Sequence, residues 1–193
     1  MRTLFLAATL ATTLLVPAFA LALEPQPVHA SAPNAAGPAG TEAFALRMRA
    51  HLDKQPRDAR GWVILARTEA ERERYAEAAQ AYEKALAPLS KAAKDAALWC
   101  EYADALGMAQ GGRLEGKPRE LIDRALALNP KLPRALEMAG SAEYERRDYR
   151  AALRFWRPML ADLRPGTREH GELTAAIART ERLAATSLPV SRR

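Results

Sequence analysis

The sequence predicts an all-α fold, a solenoid of stacked helix–turn–helix pairs, on three observations. Two stretches match each other at an offset of 74 residues: Trp62, Ala66, Tyr75, Ala78 and Tyr82 answer to Leu136, Gly140, Tyr149, Ala152 and Trp156. A looser copy starts midway at Trp99, with Tyr102 and Ala103 in the same spacing. The composition also suits helices: 49% of the 193 residues are apolar and 27% are charged. Alanine dominates the apolar share; it is the best helix former and lets helices approach closely.

Each copy reads as bulky–x–x–apolar–small, followed by a second helix with a small residue four before an aromatic. That is the signature of a tetratricopeptide repeat (TPR). The first helix of each pair is called A here, the second B. Such arrays bury their core by stacking neighbours, and their job is to hold another polypeptide. The length fits one domain, assigned to residues 41–186.

The N-terminus (1–22) reads as a signal peptide or a membrane anchor. Arg2 precedes an apolar run from Leu4 to Val16, Pro17 breaks it, and Ala18-Phe19-Ala20 offers a small-residue cleavage site. Uncleaved, Leu4 to Leu23 forms a 20-residue stretch without charge, long enough to cross a bilayer. No Cys stands directly after the leader core, which excludes a bacterial lipoprotein. Both readings place the folded part outside the cytoplasm, in the periplasm, with a possible membrane tether. Residues 23–40 are rich in Pro, Ala and Gly and read as a flexible linker.

A half repeat follows at 42–55, with Phe44, Met48 and Leu52 on one helical face. Repeat one spans about 58–89; Ala66 makes room for Tyr82 while Trp62 fills the gap between the two helices. Glu73 stands in the place before the turn that is usually Gly, which predicts a more helical turn. Repeat two spans about 95–130 and carries a longer loop, Gly111 to Gly116, with Pro118 in the first turn of its B helix. Repeat three spans about 132–165. Thr167 caps a final helix, 167–186, whose charged outer side (Arg179, Glu181, Arg182) suits a solvent-facing end. Residues 187–193 are expected to form a disordered tail.

Function classes narrow quickly. The charge of +6, or +5 (28 basic against 23 acidic residues) without Arg2, is spread over the chain. No basic run with interleaved aromatics exists, so no nucleic-acid partner is expected. Gly111 to Pro118 is a near-miss for a phosphate loop, but Pro118 replaces the hydroxyl and a helix precedes it. His29, His51 and His170 have no partner at metal-ligand spacing. No nucleophile elbow is present. Neither an enzyme, nor a cofactor, nor a small-molecule substrate has residues to rest on.

What remains is the A-helix face. Arg60, Val63 and Arg67 in repeat one, Cys100 and Asp104 in repeat two, and Arg134, Glu137, Ser141 and Tyr144 in repeat three form the candidate peptide-binding groove. Part apolar and part charged, it suits an amphipathic helix bearing both charges. Cys100, the only cysteine, reads as a thiol beside the client or as a small buried filler.

The segment from Leu46 to about Leu183 resembles the tetratricopeptide domain of cytochrome c maturation factors of the CcmI/CycH/NrfG type. The residues that carry this are Gly61-Trp62 with Leu65-Ala66, and Tyr82-Glu83-Lys84-Ala85-Leu86. More specific are Tyr102-Ala103-Asp104-Ala105-Leu106, Met108-Ala109-Gln110-Gly111-Gly112, Leu114-Glu115-Gly116-Lys117-Pro118 and Arg124-Ala125-Leu126-Ala127-Leu128-Asn129-Pro130. The resemblance implies a periplasmic adaptor and chaperone that holds apocytochrome c, notably by its C-terminal helix, and presents it to haem lyase components. Longer members carry two membrane helices and a cytoplasmic loop before this domain. With one leader and a tether, this chain looks more like the short form or a split C-terminal half. The alternative is a general periplasmic scaffold for another envelope or secretion complex.

Overall fold

Helix starts and stops follow from a few side chains. In this computed structural model, which describes residues 37–88 and 90–186, eight α-helices and one 3-10 turn follow one another without a strand among the described residues. They are α1 (Pro38–Lys54), α2 (Ala59–Glu71), α3 (Tyr75–Ala85), the 3-10 turn (Lys91–Lys94), α4 (Ala96–Ala109), α5 (Lys117–Leu128), α6 (Pro133–Glu145), α7 (Tyr149–Asp162) and α8 (Arg168–Thr186). The leader 1–22, the linker to residue 36, His29, Leu89 and the tail 187–193 lie outside the described residues. The half repeat begins earlier than the composition suggests. α1 starts at Pro38, inside the stretch read as linker, because a first-turn proline lacks only an N–H that would be unsatisfied anyway.

Carboxylates and a hydroxyl cap the starts. Asp58 accepts from the Gly61 N–H at 2.9 Å, Asp95 from Ala97 at 2.9 Å and Asp148 from Ala151 at 2.9 Å. Thr167 accepts from the His170 N–H at 3.2 Å, as its place before α8 predicts. Each such cap contributes about 1 kcal/mol. The gap at α5 is filled by Pro118, now buried.

The A helices stop by a different device. Glu73 (φ 59°), Gly111 (φ 80°) and Arg147 (φ 61°) adopt the left-handed conformation directly after α2, α4 and α6. The next N–H reaches back to close the helix: Arg74 to the Glu69 carbonyl, Gly112 to Gly107 and Asp148 to Glu143, each at 2.9 Å. This is the Schellman closure. The turn at Glu73 is therefore not more helical, as its sequence suggests. The chain holds a non-glycine residue left-handed instead.

Neighbouring helices pack in chain order, and α4 also meets α6. The small–aromatic pairs seen in sequence are the wedges between A and B. Ala66 and Tyr82 are both buried. A Cβ on Gly140 would fall 2.0 Å from Trp156 Nε1, so only a hydrogen fits there. Trp62 donates to the Pro56 carbonyl at 2.9 Å, and Trp99 donates to Ala93 at 3.0 Å, six residues back in both cases. A cation from the B helix covers each ring, Lys84 over Trp62 at 4.2 Å and Arg124 over Trp99 at 5.7 Å. Such contacts contribute about 0.5–1 kcal/mol at exposed sites.

Two carboxylates are buried near the ends of A helices. Glu69, with no exposed side-chain surface, binds Arg49 of α1 at 2.6 Å and Arg72 at 2.9 Å, with Arg74 at 3.7 Å. Glu143 binds Arg119 of α5, with Arg146 at 3.7 Å.

Candidate functional site

Spacings of three and four place one residue set of each A helix on a common side. On α2 the exposed set is Arg60, Ile64 and Arg67; on α4 it is Ala97, Asp104 and Met108 with half-buried Glu101; on α6 it is Arg134 and Glu137 with half-buried Ser141. The positions between them are the ones that pack against B helices.

Ion pairs stitch these faces together. Arg67 grips Glu101 in a fork, Nε to Oε2 and Nη2 to Oε1, both 2.8 Å. Tyr82 donates its hydroxyl to the same Glu101 at 2.7 Å, reaching through from the B helix α3. One helix on, Arg134 donates to Asp104 at 3.1 Å and to Glu137 at 3.0 Å. So four predicted groove residues, Arg67, Asp104, Arg134 and Glu137, do come together, but mainly to join α2 to α4 and α4 to α6.

The electrostatics follow from this geometry. Burial works against the charged form of Glu101, yet hydrogen bonds from Arg67 and Tyr82, with the charge of Arg67, outweigh it and hold the carboxyl below its ordinary 4.5. Its bond to Glu101 raises Arg67 well above the usual range. Burial, then the bond to Glu101, raises the Tyr82 phenol.

Two predicted residues leave the open face. Cys100 is only 2% exposed. Burial pushes its thiol up to about 11, against the opposing charge of Arg134. It is the buried filler, not a thiol beside a client. Tyr144 sits in the last turn of α6, where the chain is about to reverse, and packs on its own B helix. Its ring lies edge-on to Tyr149 at 5.4 Å and 5.9 Å from Trp156. Ser141 stays on the A face, half-buried, with no side-chain hydrogen bond among the described residues.

Arg60, Val63 and Arg67 belong to a cleft of about 710 Å³ between α2 and α4. The 3-10 turn carries Lys91 and Ala92 to its edge, and Leu98 of α4 completes an apolar floor with Val63. Arg57 lines it from the loop before α2. Sequence reasoning missed Glu101, Arg57 and Lys91. Glu101 left a trace: it precedes Asp104, the repeat equivalent of Arg67, by one helical turn, the offset at which α2 meets α4 in this pair.

The glycine-rich loop behaves as a connector. Gly111, Gly112 and Gly116 have positive φ. Gln110 donates to the carbonyls of Arg113 and Glu115, at 2.6 and 3.1 Å, and the Leu114 N–H is taken by Glu145 at 3.1 Å. Among the described residues no group of three or more His, Cys, Asp or Glu could hold a metal ion. No described helix is long and apolar enough to cross a membrane.

Comparison with known proteins matches residues 28–170 to the family described as the cytochrome c-type biogenesis protein H TPR domain. The chain is 32% identical over 162 residues to the cytochrome c-type biogenesis protein CycH of Pseudomonas aeruginosa, covering 81% of this chain and 39% of that one. It is 30% identical over 130 residues to the CycH of Bradyrhizobium diazoefficiens, covering 66% and 34% respectively. The chain thus spans little more than a third of the length of these relatives. Among solved structures, two of MamA superpose with a TM-score of 0.58, at 12% and 13% identity. They cover 77% and 80% of this chain, and 91% and 90% of their own, and bear on the fold alone.

Proposed function

Because the chain belongs to the cytochrome c-type biogenesis TPR family, we propose that it serves as an adaptor that holds apocytochrome c and presents it to the haem-ligation machinery. It does so without chemistry of its own. It works outside the cytoplasm, exported or anchored by the apolar stretch from Leu4 to Leu23.

The observation that carries this reading is the A-helix face. Arg67–Glu101 and Arg134–Asp104 join three A helices to one another across this face, in addition to the packing of neighbouring helices. A preformed surface loses less entropy on binding than one that must order itself. The α2–α4 cleft gives that surface an apolar floor for one side of an amphipathic helix, the helix-in-groove mode.

The test is a pull-down of the full chain with C-terminal peptides from each c-type cytochrome of the host. Binding at micromolar concentration supports the reading. Absence of binding at high micromolar concentration for every such peptide overturns it.

A further inference from the structure

We propose that the α2–α4 cleft selects acidic amphipathic segments, recognising carboxylates that flank an apolar face. This rests on the reading of the chain as a polypeptide-binding adaptor and names the chemistry of its client. It also departs from the mixed-charge client that the sequence alone suggests.

Charge is unevenly balanced along the face. Its middle and far end neutralise themselves: Arg67 is matched by Glu101, and Arg134 by Asp104 and Glu137. At the near end Arg57, Arg60 and Lys91 are exposed and make no ion pair among the described residues. The acids beside them, Asp58 and Asp95, form helix caps and keep their charge, and Asp95 itself lines the cleft. Asp58 caps α2 through Gly61 and lies 3.3 Å from His51. Asp95 caps α4 through Ala97.

Arg57, Arg60 and Lys91 outnumber the one carboxylate of the lining, Asp95, so net positive charge gathers at one end, around the buried apolar side chains of Val63 and Leu98. A helix about 10–12 Å across takes up roughly 400–600 Å³ per turn, so a cleft of about 710 Å³ admits the side chains of one face and not a whole helix. Apolar side chains meet the floor, and carboxylates beside them meet the guanidinium and ammonium groups at the rim. Rim charges act mostly on association rate, salt dependence and partner choice. Among the described residues no aromatic side chain lines the cleft, so bases find no stacking platform there.

Two labelled designed helical peptides test this, with identical apolar faces and polar faces made of Glu in one and Lys in the other. Each is titrated into the full chain by fluorescence anisotropy, alongside apocytochrome C-terminal peptides and a labelled single-stranded oligonucleotide. The acidic peptide is expected to bind at least about tenfold tighter than the basic one. That preference should vanish in Arg57→Glu/Arg60→Glu and shrink in Lys91→Glu. Arg150→Glu, exposed on α7, should leave it unchanged. Circular dichroism establishes that each variant is folded.

Equal affinity for the two peptides, a preference that survives both rim variants, or an oligonucleotide that binds as tightly as the acidic peptide would overturn the proposal. The two readings fail separately. If the acidic peptide binds and no apocytochrome peptide does, the cleft chemistry stands and the client is another protein. If apocytochrome peptides bind regardless of the rim charges, the adaptor stands and the selectivity does not.

Discussion

Glu69 and Glu143 occupy the same place in the first and third repeats, each buried near the end of its A helix and each held by an arginine from the helix before, Arg49 and Arg119. Removing one partner of such a cluster leaves charge without compensation in a low-dielectric setting. Glu69→Ala is expected to destabilise by about 3 kcal/mol, the lower end of the range for buried pairs, since Arg49 keeps some solvent. Exposed Glu71→Ala should stay within about 0.5 kcal/mol of wild type. Urea unfolding of the two variants measures the difference; equal midpoints would mean that the cluster carries no stability.

Gly140 and Gly171 make opposite predictions for one substitution. Both are helical, where Gly→Ala normally stabilises by about 1 kcal/mol. At Gly171 nothing lies within 4 Å of the added Cβ, so Gly171→Ala should show that gain. At Gly140 the Cβ would meet Trp156 at 2.0 Å, so Gly140→Ala should lose about 1–3 kcal/mol by overpacking. Thermal melts read both, and a gain at Gly140 would mean that the Trp156 wedge is slack.

Left-handed Glu73 and Arg147 predict that glycine is better than the native residue. Glu73→Gly and Arg147→Gly each relieve a Cβ clash of about 1–2 kcal/mol, offset in part by the entropy of glycine. A net gain of about 0.5–1 kcal/mol in each is expected. A lower urea midpoint in both would contradict the Schellman geometry.

Glu101 gives the fold an acid-sensitive contribution. Its folded-state pKa lies below the ordinary 4.5, so the ionised carboxylate favours the folded state. That contribution is complete above about pH 4.5 and fades as pH falls through the lowered value. The stability gap between wild type and Glu101→Gln should be widest near neutral pH and close in acid. A gap independent of pH would mean that Arg67 and Tyr82 do not favour the charged form.

Cys100 should be silent toward thiol reagents in the folded chain. Its thiol is buried and raised to about 11, and the thiolate is the reactive form. Labelling with a disulfide reagent should therefore keep pace with unfolding across a urea series. Fast labelling without denaturant would place the thiol at the surface.

The wedges and helix order were legible because a repeat writes its packing twice: Ala66 with Tyr82 returns as Gly140 with Trp156. Thr167 and Pro118 announced their helix starts through local chemistry alone. The open face was harder to read. Arg67 and Glu101 are 34 residues apart, and their meeting depends on how two A helices are staggered. The spacing of Tyr144 points it outward, but in the last turn of α6 its ring packs on the aromatic surface that Tyr149 and Trp156 of α7 offer. The buried glutamates were hidden by a sound general expectation that charged residues face water. Glu69 with Arg72 and Glu143 with Arg146 nevertheless share one offset, and that recurrence was the available signal.

The same two glutamates bear on how such arrays can be recombined. Each of these two buried acids is answered by an arginine 20 or 24 residues upstream, on the far side of the repeat boundary. At the equivalent helix end the middle repeat has Gly107. A repeat excised at its loops would carry a carboxylate severed from its counter-ion. The heritable module is therefore not the helical hairpin that the sequence advertises. It is the B helix together with the A helix that follows, and a splice that respects that frame is the one expected to give a foldable chimera.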